Sequence, residues 1–567
     1  MDSTRAISQF GAARTDFAAA SRGLGPEWVS GTLTLIPWVG RQYAATRSLA
    51  HIGFDGSTAG LELARALHDS PAATSSADAP TEPGSQLASR LTHVDAALTA
   101  LSAAIERADT LSPDGLVPPL ANQVRTIRSA LHDAAPLVRR ARALFQLDAS
   151  LVSQNSRILI VSQDGAELRP TGGWAGSFGI VTIGPTGAHL DSYQDVFVLP
   201  DPPGRVTPPP GAFQTHDFNF RNANWWLDFP TSAQAMLAFW RAYGQPPVDG
   251  LIVIDTVVMQ DLLEVVGPIT TPRHNETFTS SNLLERLLYL TQFERGGQPD
   301  RKNVLVELAQ ELEKRILNAS PNELAKSALA VAKAADAKHV QMYFTDPNAE
   351  AAVDALGWSG RVAPPSGTTD VVAISNAMNK PGKVNVAMKK SIDYNVRLQS
   401  DRSAETTLVL GYANTGPYLK YLPPDFRDWL RVYRAPGTSF PSATPSGGQT
   451  MVTTEFGFPA EVRGFTVGRG QKRTESLTAR VPQALTSEGP GNQQGDVWYR
   501  LYMVRQADLQ DIPLTVSVTA PQGWRLVGAA ARLTASGTSL PVTIDGGSAR
   551  MAVPLSGDLA LEVRLAR

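Results

Sequence analysis

The sequence contains no cysteine, and this absence removes several kinds of chemistry at once. Disulfide bonds, zinc sites built on thiolates and a cysteine nucleophile all require that side chain. The absence leaves the compartment open, because chains without cysteine occur on both sides of a bacterial membrane.

Long apolar runs are also missing. A membrane-spanning helix needs about 20 continuous apolar residues, and the best candidate, LTLIPWVG at residues 33–40, is far shorter. The first residues, MDSTRAISQF, lack the basic region and apolar core of a signal peptide. We therefore expect the chain, as given, to be soluble.

The chain also lacks a strong excess of either basic or acidic residues. The 51 basic and 53 acidic residues leave a net charge of -2. Such a balance gives no bulk electrostatic reason to bind nucleic acid, so we expect no nucleic-acid partner. A hydrophobic content of 43% is typical of a folded protein, and 567 residues suggest roughly two to four domains.

The apolar patterns that the sequence does contain predict a multi-domain α+β protein. Residues 1–150 repeat apolar positions at spacings of three and four and predict a helical hairpin or bundle. Residues 151–365 alternate short apolar strands with helices, as in an α/β layered domain. Residues 366–480 alternate polar and apolar positions between turns, as in a β-sandwich. For residues 481–567 we leave open a second β-sandwich or a continuation of the first.

The first motif, AELRPTGGWAGSFG at residues 166–179, directly follows the predicted strand RILIVSQD. Backbone amides in a glycine-rich turn, together with one guanidinium, would suit a phosphate or pyrophosphate. The alternative is a tight turn in which Glu167 and Arg169 form a local salt bridge. The polar and glycine positions that carry the first interpretation are Asp164, Glu167, Arg169, Thr171, Gly172 and Gly173.

The second motif is NFRNANWWLDFPTSA, at residues 219–233. It offers more polar side chains than a connector needs, which favours a binding loop. The adjacent tryptophans Trp225 and Trp226 also fit a packed anchor, so both interpretations stay open. The polar candidates of this loop are Arg221, Asn222, Asn224 and Asp228.

Several familiar catalytic motifs are absent. There is no H-E-x-x-H metal motif, no G-x-S-x-G nucleophile elbow, and no glycine spacing of a nucleotide-binding loop. We therefore expect no nucleotide cofactor. Asp164, Asp228 and Asp255 are carboxylates of the kind that hold Mg²⁺ beside a pyrophosphate.

A family resemblance extends these interpretations. AELRPTGGWAGSFG, FRNANWWLDFPTSAQAMLAFW and VDGLIVIDTVVMQDLLEVVGPI resemble a bacterial family known only as a domain of unknown function, numbered four thousand and twelve. Later segments, including KHVQMYFTDPNAEAAVDALGWSG, are similar to it as well, so the resemblance covers most of the chain from about residue 35. It implies a cell-envelope protein on the extracytoplasmic face of the membrane. Membrane contact would occur only through an N-terminal helix that this chain lacks, and a cytoplasmic location is not excluded.

A more distant likeness implies an activity. The order of polar loop, helix and VDGLIVIDTVVMQDLLEVVGPI is similar to the LytR-CpsA-Psr enzymes, although VVGPI has one glycine where those enzymes have a pair. Those enzymes transfer glycopolymers from a polyprenyl pyrophosphate carrier to the cell wall. By that likeness Arg169 and Arg221 would clamp the pyrophosphate, and Asp164 or Asp228 would hold Mg²⁺. The partner would be a lipid-linked glycan or cell-wall polymer. The alternative is a non-catalytic surface scaffold that binds glycan or protein.

Overall fold

The computed structural model describes residues 3–25, 37–68, 83–185, 187–201, 204, 206–212, 218–294, 303–416, 423–441, 450–487 and 495–567. The chain divides into two compact units, Met1–Ser150 and Leu151–Arg567. Within the described residues no helix is long and apolar enough to cross a membrane.

The first unit is helical, as predicted. Small residues allow close packing, because Gly53 and Gly60 lie directly against the rings of Phe17 and Phe10. The buried side chains between the later helices include Ile52, Ala104 and Val124. The helices are α1 Ser3–Gly23, α2 Pro37–His68, α3 Pro83–Asp109 and α4 Pro118–Ser153, the last of which continues into the second unit.

The second unit begins with a mixed α/β sheet region, which confirms the predicted α/β layer. Its strands are β1 Ser156–Asp164, β2 Trp174–Gly184, β3 Gly187–Asp195, β4 Gly250–Asp255, β5 Ile269–Thr271, β6 Glu276–Phe278 and β7 Val340–Phe344. The main sheet has the order β3-β2-β1-β4-β7, and β5 pairs with β6 separately. Strands β1 and β4 are parallel, while the other neighbours in the main sheet are antiparallel.

Several strand ends meet at one edge of this sheet because of that pairing. Gln163 near the end of β1 faces Asp255 at the end of β4, and Asp164 faces Trp174 at the start of β2. Strand β3 ends beside β2 at Asp195. The edge is therefore built from segments far apart in sequence, and ligands of α/β sheets bind at such carboxyl ends.

The helices of this region begin and end at recognisable residues. Asp255 accepts a hydrogen bond from the amide of Val257 and starts one helix, which stops where Gly267 adopts a positive φ of 81°. The helices are α5 Phe229–Ala242, α6 Thr256–Val266, α7 Leu283–Leu288, α8 Asn303–Leu317, α9 Pro321–Asp336 and α10 Pro347–Leu356. Short 3₁₀ turns cover Val196–Val198, Phe220–Asn222 and Val384–Ala387, and a π-helical turn covers Tyr289–Glu294.

The rest of the second unit is strand-rich. Its strands are β8 Asp370–Ser375, β9 Met388–Leu398, β10 Ala404–Asn414, β11 Phe426–Arg434, β12 Thr450–Glu455, β13 Phe458–Val467, β14 Lys472–Val481, β15 Leu485–Thr486, β16 Val497–Val504, β17 Ile512–Thr519, β18 Arg525–Leu533, β19 Ser539–Leu540, β20 Thr543–Asp545, β21 Ser548–Leu555 and β22 Leu559–Ala566.

These strands form two sheets around one core. One sheet has the order β14-β10-β9-β17-β21-β20, and the other has β12-β13-β11-β8-β16-β22-β18-β19 with β15 beside β16. Each sheet combines strands from before and after residue 481, and side chains such as Leu408, Val432, Val516 and Leu561 share one hydrophobic core. The strands after residue 481 therefore continue the two sheets that the earlier strands begin.

Candidate functional site

A cavity of about 520 Å³ opens at the sheet edge where β1, β3 and β4 end. Its walls come from this edge, from helices α6 to α8 and from the segment around Lys383. Charged and amide side chains line it mainly from the sheet edge and the Phe220–Asn222 turn, here called the polar half, and leucines line it mainly from α7 and α8, here called the apolar half. Pockets for small molecules usually combine a largely apolar lining with a few polar groups.

Arg169 belongs to the polar half and is held by several hydrogen bonds. It is only 1% exposed. Its Nη2 atom donates to Glu167 Oε1 at 2.8 Å and to Asn222 Oδ1 at 3.2 Å, and Nη1 donates to the Leu168 carbonyl oxygen at 3.2 Å. Burial lowers the pKa of the Arg169 guanidinium, and the contact with Glu167 opposes this shift. The arginine is a buried, engaged cation with part of its surface on the cavity.

Lys383 and Arg221 are the other two cations among the described residues of this half. Lys383 forms an ion pair with Asp164, and its Nζ lies 5.8 Å from the centre of the Trp174 ring. The guanidinium of Arg221 lies 4.9 Å from the centre of the Phe197 ring and donates to Asn219 Oδ1 at 3.3 Å. Arg221 is also 3.5 Å from the exposed carboxylate of Asp201, a contact that contributes little in water.

Among the lining residues that the structure describes, the charges of the polar half are balanced. These three basic and three acidic side chains are Arg169, Arg221, Lys383, Asp164, Glu167 and Asp255. A compact anion would therefore meet carboxylates as well as cations. A ligand that offers both acceptors and hydroxyl donors would satisfy this wall better.

Asp255 is oriented by a buried histidine. Its Oδ2 atom lies 2.6 Å from His339 Nδ1, and the other ring nitrogen of His339 lies 3.2 Å from Arg505 Nη2. Because a guanidinium can only donate, Nε2 must accept and Nδ1 must carry the proton given to Asp255. This contact holds the Asp255 carboxylate at the cavity wall.

The apolar half is lined largely by leucines from α7 and α8. Those that face the cavity include Leu284, Leu287, Leu288, Leu305, Leu308 and Leu312. Leu288 and Leu308 are nearly inaccessible to solvent. Burying a hydrocarbon chain against such a wall stabilises a complex by roughly 0.8 kcal/mol for each methylene.

The first sequence motif is mostly interior. Residues 165–173 are all buried, and their backbone is tied to the β-sandwich. The carbonyl oxygens of Ala166 and Leu168 accept hydrogen bonds from the amides of Asn385 and Met378, at 3.1 and 3.0 Å. The structure thus brings Glu167 and Arg169 to the cavity, while Leu168 joins the core of the sandwich.

Thr171, Gly172, Gly173 and Asn224 do not line the cavity. The side-chain amide of Asn224 donates through Nδ2 to the Thr171 hydroxyl at 3.0 Å and to the Gly173 carbonyl oxygen at 2.7 Å. These residues join the two sequence motifs to each other below the cavity surface. The salt-bridge interpretation of Glu167 and Arg169 matches the observed contact, although both side chains also face the cavity.

The second motif divides in the same way. Arg221 and Asn222 line the cavity, whereas Trp225 is fully buried beneath the guanidinium of Arg431, 4.8 Å from its ring centre. Asp228 lies outside the cavity and serves as the N-cap of α5, accepting from the Thr231 amide at 3.2 Å. Its other oxygen accepts from the Val362 amide at 3.0 Å.

A shared Mg²⁺ site at Asp164 and Asp228 gains no support from this geometry. Asp164 is engaged by Lys383 and by the amide of Ala166, and Asp228 is engaged by the start of α5. Within the described part of the chain, no group of three or more His, Cys, Asp or Glu residues comes together in a way that could hold a metal ion. Bound Mg²⁺ stays a prediction.

Sequence reasoning missed two features of the cavity. Lys383 lies in the segment MNKPGKV, more than 200 residues after Asp164 in the chain, and nothing local marks it as a partner. The leucine wall had a signal, because NLLERLLYLTQF places apolar residues on more sides of a helix than one core contact needs.

The second unit is thus a mixed α/β sheet joined to a β-sandwich, with a half-apolar cavity at one sheet edge. Residues 153–290 match a family model described as "Protein of unknown function (DUF4012)". The match includes both sequence motifs and ends within the leucine-rich segment. The resemblance that the sequence suggests over most of the chain is therefore supported only for residues 153–290. It gives no evidence of kinship with the LytR-CpsA-Psr enzymes. No curated protein matches the chain.

Proposed function

We propose that the cavity binds an amphiphile with a phosphate-containing, sugar-bearing head group and an apolar chain, such as a polyprenyl-pyrophosphate-linked glycan. The observation that carries the proposal is the division of one cavity into a leucine-lined half and a polar half. A wholly polar metabolite would have polar groups without hydrogen-bond partners against the leucines, and a hydrocarbon would leave the charged half unsatisfied.

The leucine wall supports an apolar chain of some length. With about 0.8 kcal/mol for each buried methylene, ten carbons would contribute roughly 8 kcal/mol before the costs of association. This is enough to make the chain a major source of affinity.

The mixed polar wall supports a head group that is more than a bare anion. Arg221 and Lys383 can donate hydrogen bonds to phosphate oxygens, because both lie at the cavity surface, near the aromatic rings of Phe197 and Trp174. Glu167 and Asp255 can accept hydrogen bonds from sugar hydroxyls. A phosphate joined to a sugar would satisfy both sets of groups.

Transfer of the glycan, with an acceptor hydroxyl attacking phosphorus and polyprenyl phosphate leaving, is the further step that the LytR-CpsA-Psr likeness implies. Displacement at phosphorus needs chiefly charge neutralisation and alignment. The resemblance to membrane-anchored envelope proteins supports a site on the extracytoplasmic face of a bacterial membrane.

A non-catalytic binding protein is the second candidate. It is favoured by the engagement of Arg169 with Glu167 and Asn222, and by the capping role of Asp228, since the LytR-CpsA-Psr likeness assigns Arg169 to the pyrophosphate and Asp228 to Mg²⁺. In that case the same cavity would hold the lipid-linked glycan without transferring it.

Binding of farnesyl pyrophosphate tests the proposal, measured by isothermal titration calorimetry with and without Mg²⁺. Arg221→Gln removes a charged donor worth about 1.5–3 kcal/mol, so affinity should fall about 10- to 150-fold. Leu287→Asn should weaken farnesyl pyrophosphate binding but leave the weaker binding of inorganic pyrophosphate unchanged. Arg241→Gln, at an exposed arginine of α5, is the matched control.

Arg169→Ala is a poor first variant, because it would leave Glu167 buried without its cation. Failure of the unaltered chain to bind farnesyl pyrophosphate under either condition would contradict the proposal. Equal losses of farnesyl pyrophosphate affinity in Arg221→Gln and Arg241→Gln would also contradict the proposal.

A further inference from the structure

The turn after β3 carries two exposed apolar side chains at the rim of the cavity. Phe197 is 50% exposed and Val198 is 60% exposed. The ring of Phe197 also forms part of the cavity wall, so the turn lies where the cavity meets solvent. Single exposed apolar residues are common, but this pair adjoins a leucine-lined pocket.

The exposure is built into the local fold. The Asp195 carboxylate accepts a hydrogen bond from the Phe197 amide at 3.1 Å, and the Leu199 amide donates to the Val196 carbonyl at 3.2 Å. Val196 and Leu199 are buried in the core on either side. The two anchors hold Phe197 and Val198 outward.

Cations and a second aromatic ring lie close to this apolar pair. The Arg221 guanidinium lies 4.9 Å from the centre of the Phe197 ring, and the Trp174 ring lies 5.8 Å from the same ring. Lys383 Nζ lies 5.8 Å from the centre of the Trp174 ring. Exposed apolar side chains beside aromatic rings and cations are the combination that suits the boundary between acyl chains and phosphates at a bilayer surface.

We propose that the turn Val196–Leu199 seats the mouth of the cavity on the surface of a lipid bilayer. The inference rests on the proposed function, because an apolar chain that enters the leucine-lined half must leave a bilayer without crossing water. Direct seating of the rim on the bilayer removes that barrier. Two side chains give weak, reversible association, which suits repeated loading.

The test is flotation of the full chain with vesicles of equal parts phosphatidylcholine and phosphatidylglycerol. Val198→Ser is the informative variant, because Val198 does not line the cavity. Without the burial of the Val198 side chain in the bilayer, the vesicle-bound fraction should fall about fivefold. The double variant Phe197→Ser, Val198→Ser should reduce this fraction further. Val452→Ser is the matched control, at a valine of the β-sandwich that is 57% exposed.

Farnesyl pyrophosphate binding in vesicle-free solution separates the two proposals. Unchanged farnesyl pyrophosphate binding with reduced flotation of Val198→Ser, but not of Val452→Ser, supports the seating turn. Reduced flotation of Val198→Ser without any farnesyl pyrophosphate binding would keep the turn as a membrane contact and reject the amphiphile cavity. No flotation of the unaltered chain, or equal flotation of both valine variants, would overturn the inference.

Discussion

Gly173→Ala tests why glycine is required in the first motif. A Cβ atom at Gly173 would lie 2.5 Å from the carbonyl oxygen of Asp164 and 2.7 Å from the amide nitrogen of Gly165. Carbon atoms prefer separations of about 3.5–4.0 Å, and here the opposing atoms are backbone at the end of β1. No flexible side chain can move aside.

The expected cost follows from that rigidity. Residues 165–173 are buried, so the strain must be absorbed by the end of the strand or by the β-sandwich contacts of the loop. We expect Gly173→Ala to lower the free energy of unfolding by about 1–3 kcal/mol, the usual cost of overpacking. Denaturant titration followed by circular dichroism and by tryptophan fluorescence would measure it.

Gly176→Ala is the matched control, because its nearest neighbour would be a Trp174 ring atom at 3.4 Å, an ordinary contact. Equal stability of the two variants would refute the reasoning about backbone contact. If Gly173→Ala were stable but lost farnesyl pyrophosphate binding, the glycine would serve the ligand and the phosphate-turn interpretation would return.

Two further predictions concern buried carboxylates. Burial raises the pKa of Asp428 to about 6 from 3.8, so the folded chain holds this proton more tightly than the unfolded chain. The protonated carboxyl therefore contributes roughly 3 kcal/mol of stability, which is complete below pH 3.8 and is lost as the pH rises through 6. Asp428→Asn should flatten this part of the stability curve in denaturant titrations made over a series of pH values. If the free energy of unfolding changed equally with pH in the unaltered chain and in Asp428→Asn, this assignment would be contradicted. Asp228→Ala removes the N-cap of α5 and the acceptor of the Val362 amide, so thermal unfolding should show a loss of about 2–3 kcal/mol with farnesyl pyrophosphate affinity retained. Loss of affinity without loss of stability would instead favour a role of Asp228 in ligand binding.

Much of the fold was predictable from local pattern. The run RILIVSQD predicts β1, and the apolar spacing of LASRLTHVDAALTALSAAIERA predicts α3, because strand and helix periods are short-range properties. The α+β division follows from the same patterns. The motifs also identified Glu167, Arg169, Arg221 and Asn222, which the structure brings to one cavity.

The sequence by itself therefore determined the kinds of secondary structure and the loops that carry polar groups. Only the tertiary structure decided which of those groups reach the cavity. Thr171 and Asn224 turn inward to each other, while Lys383 arrives from a distant segment to pair with Asp164. The physical reason is that side-chain exposure depends on long-range packing of the sheet against the β-sandwich, which no local pattern records.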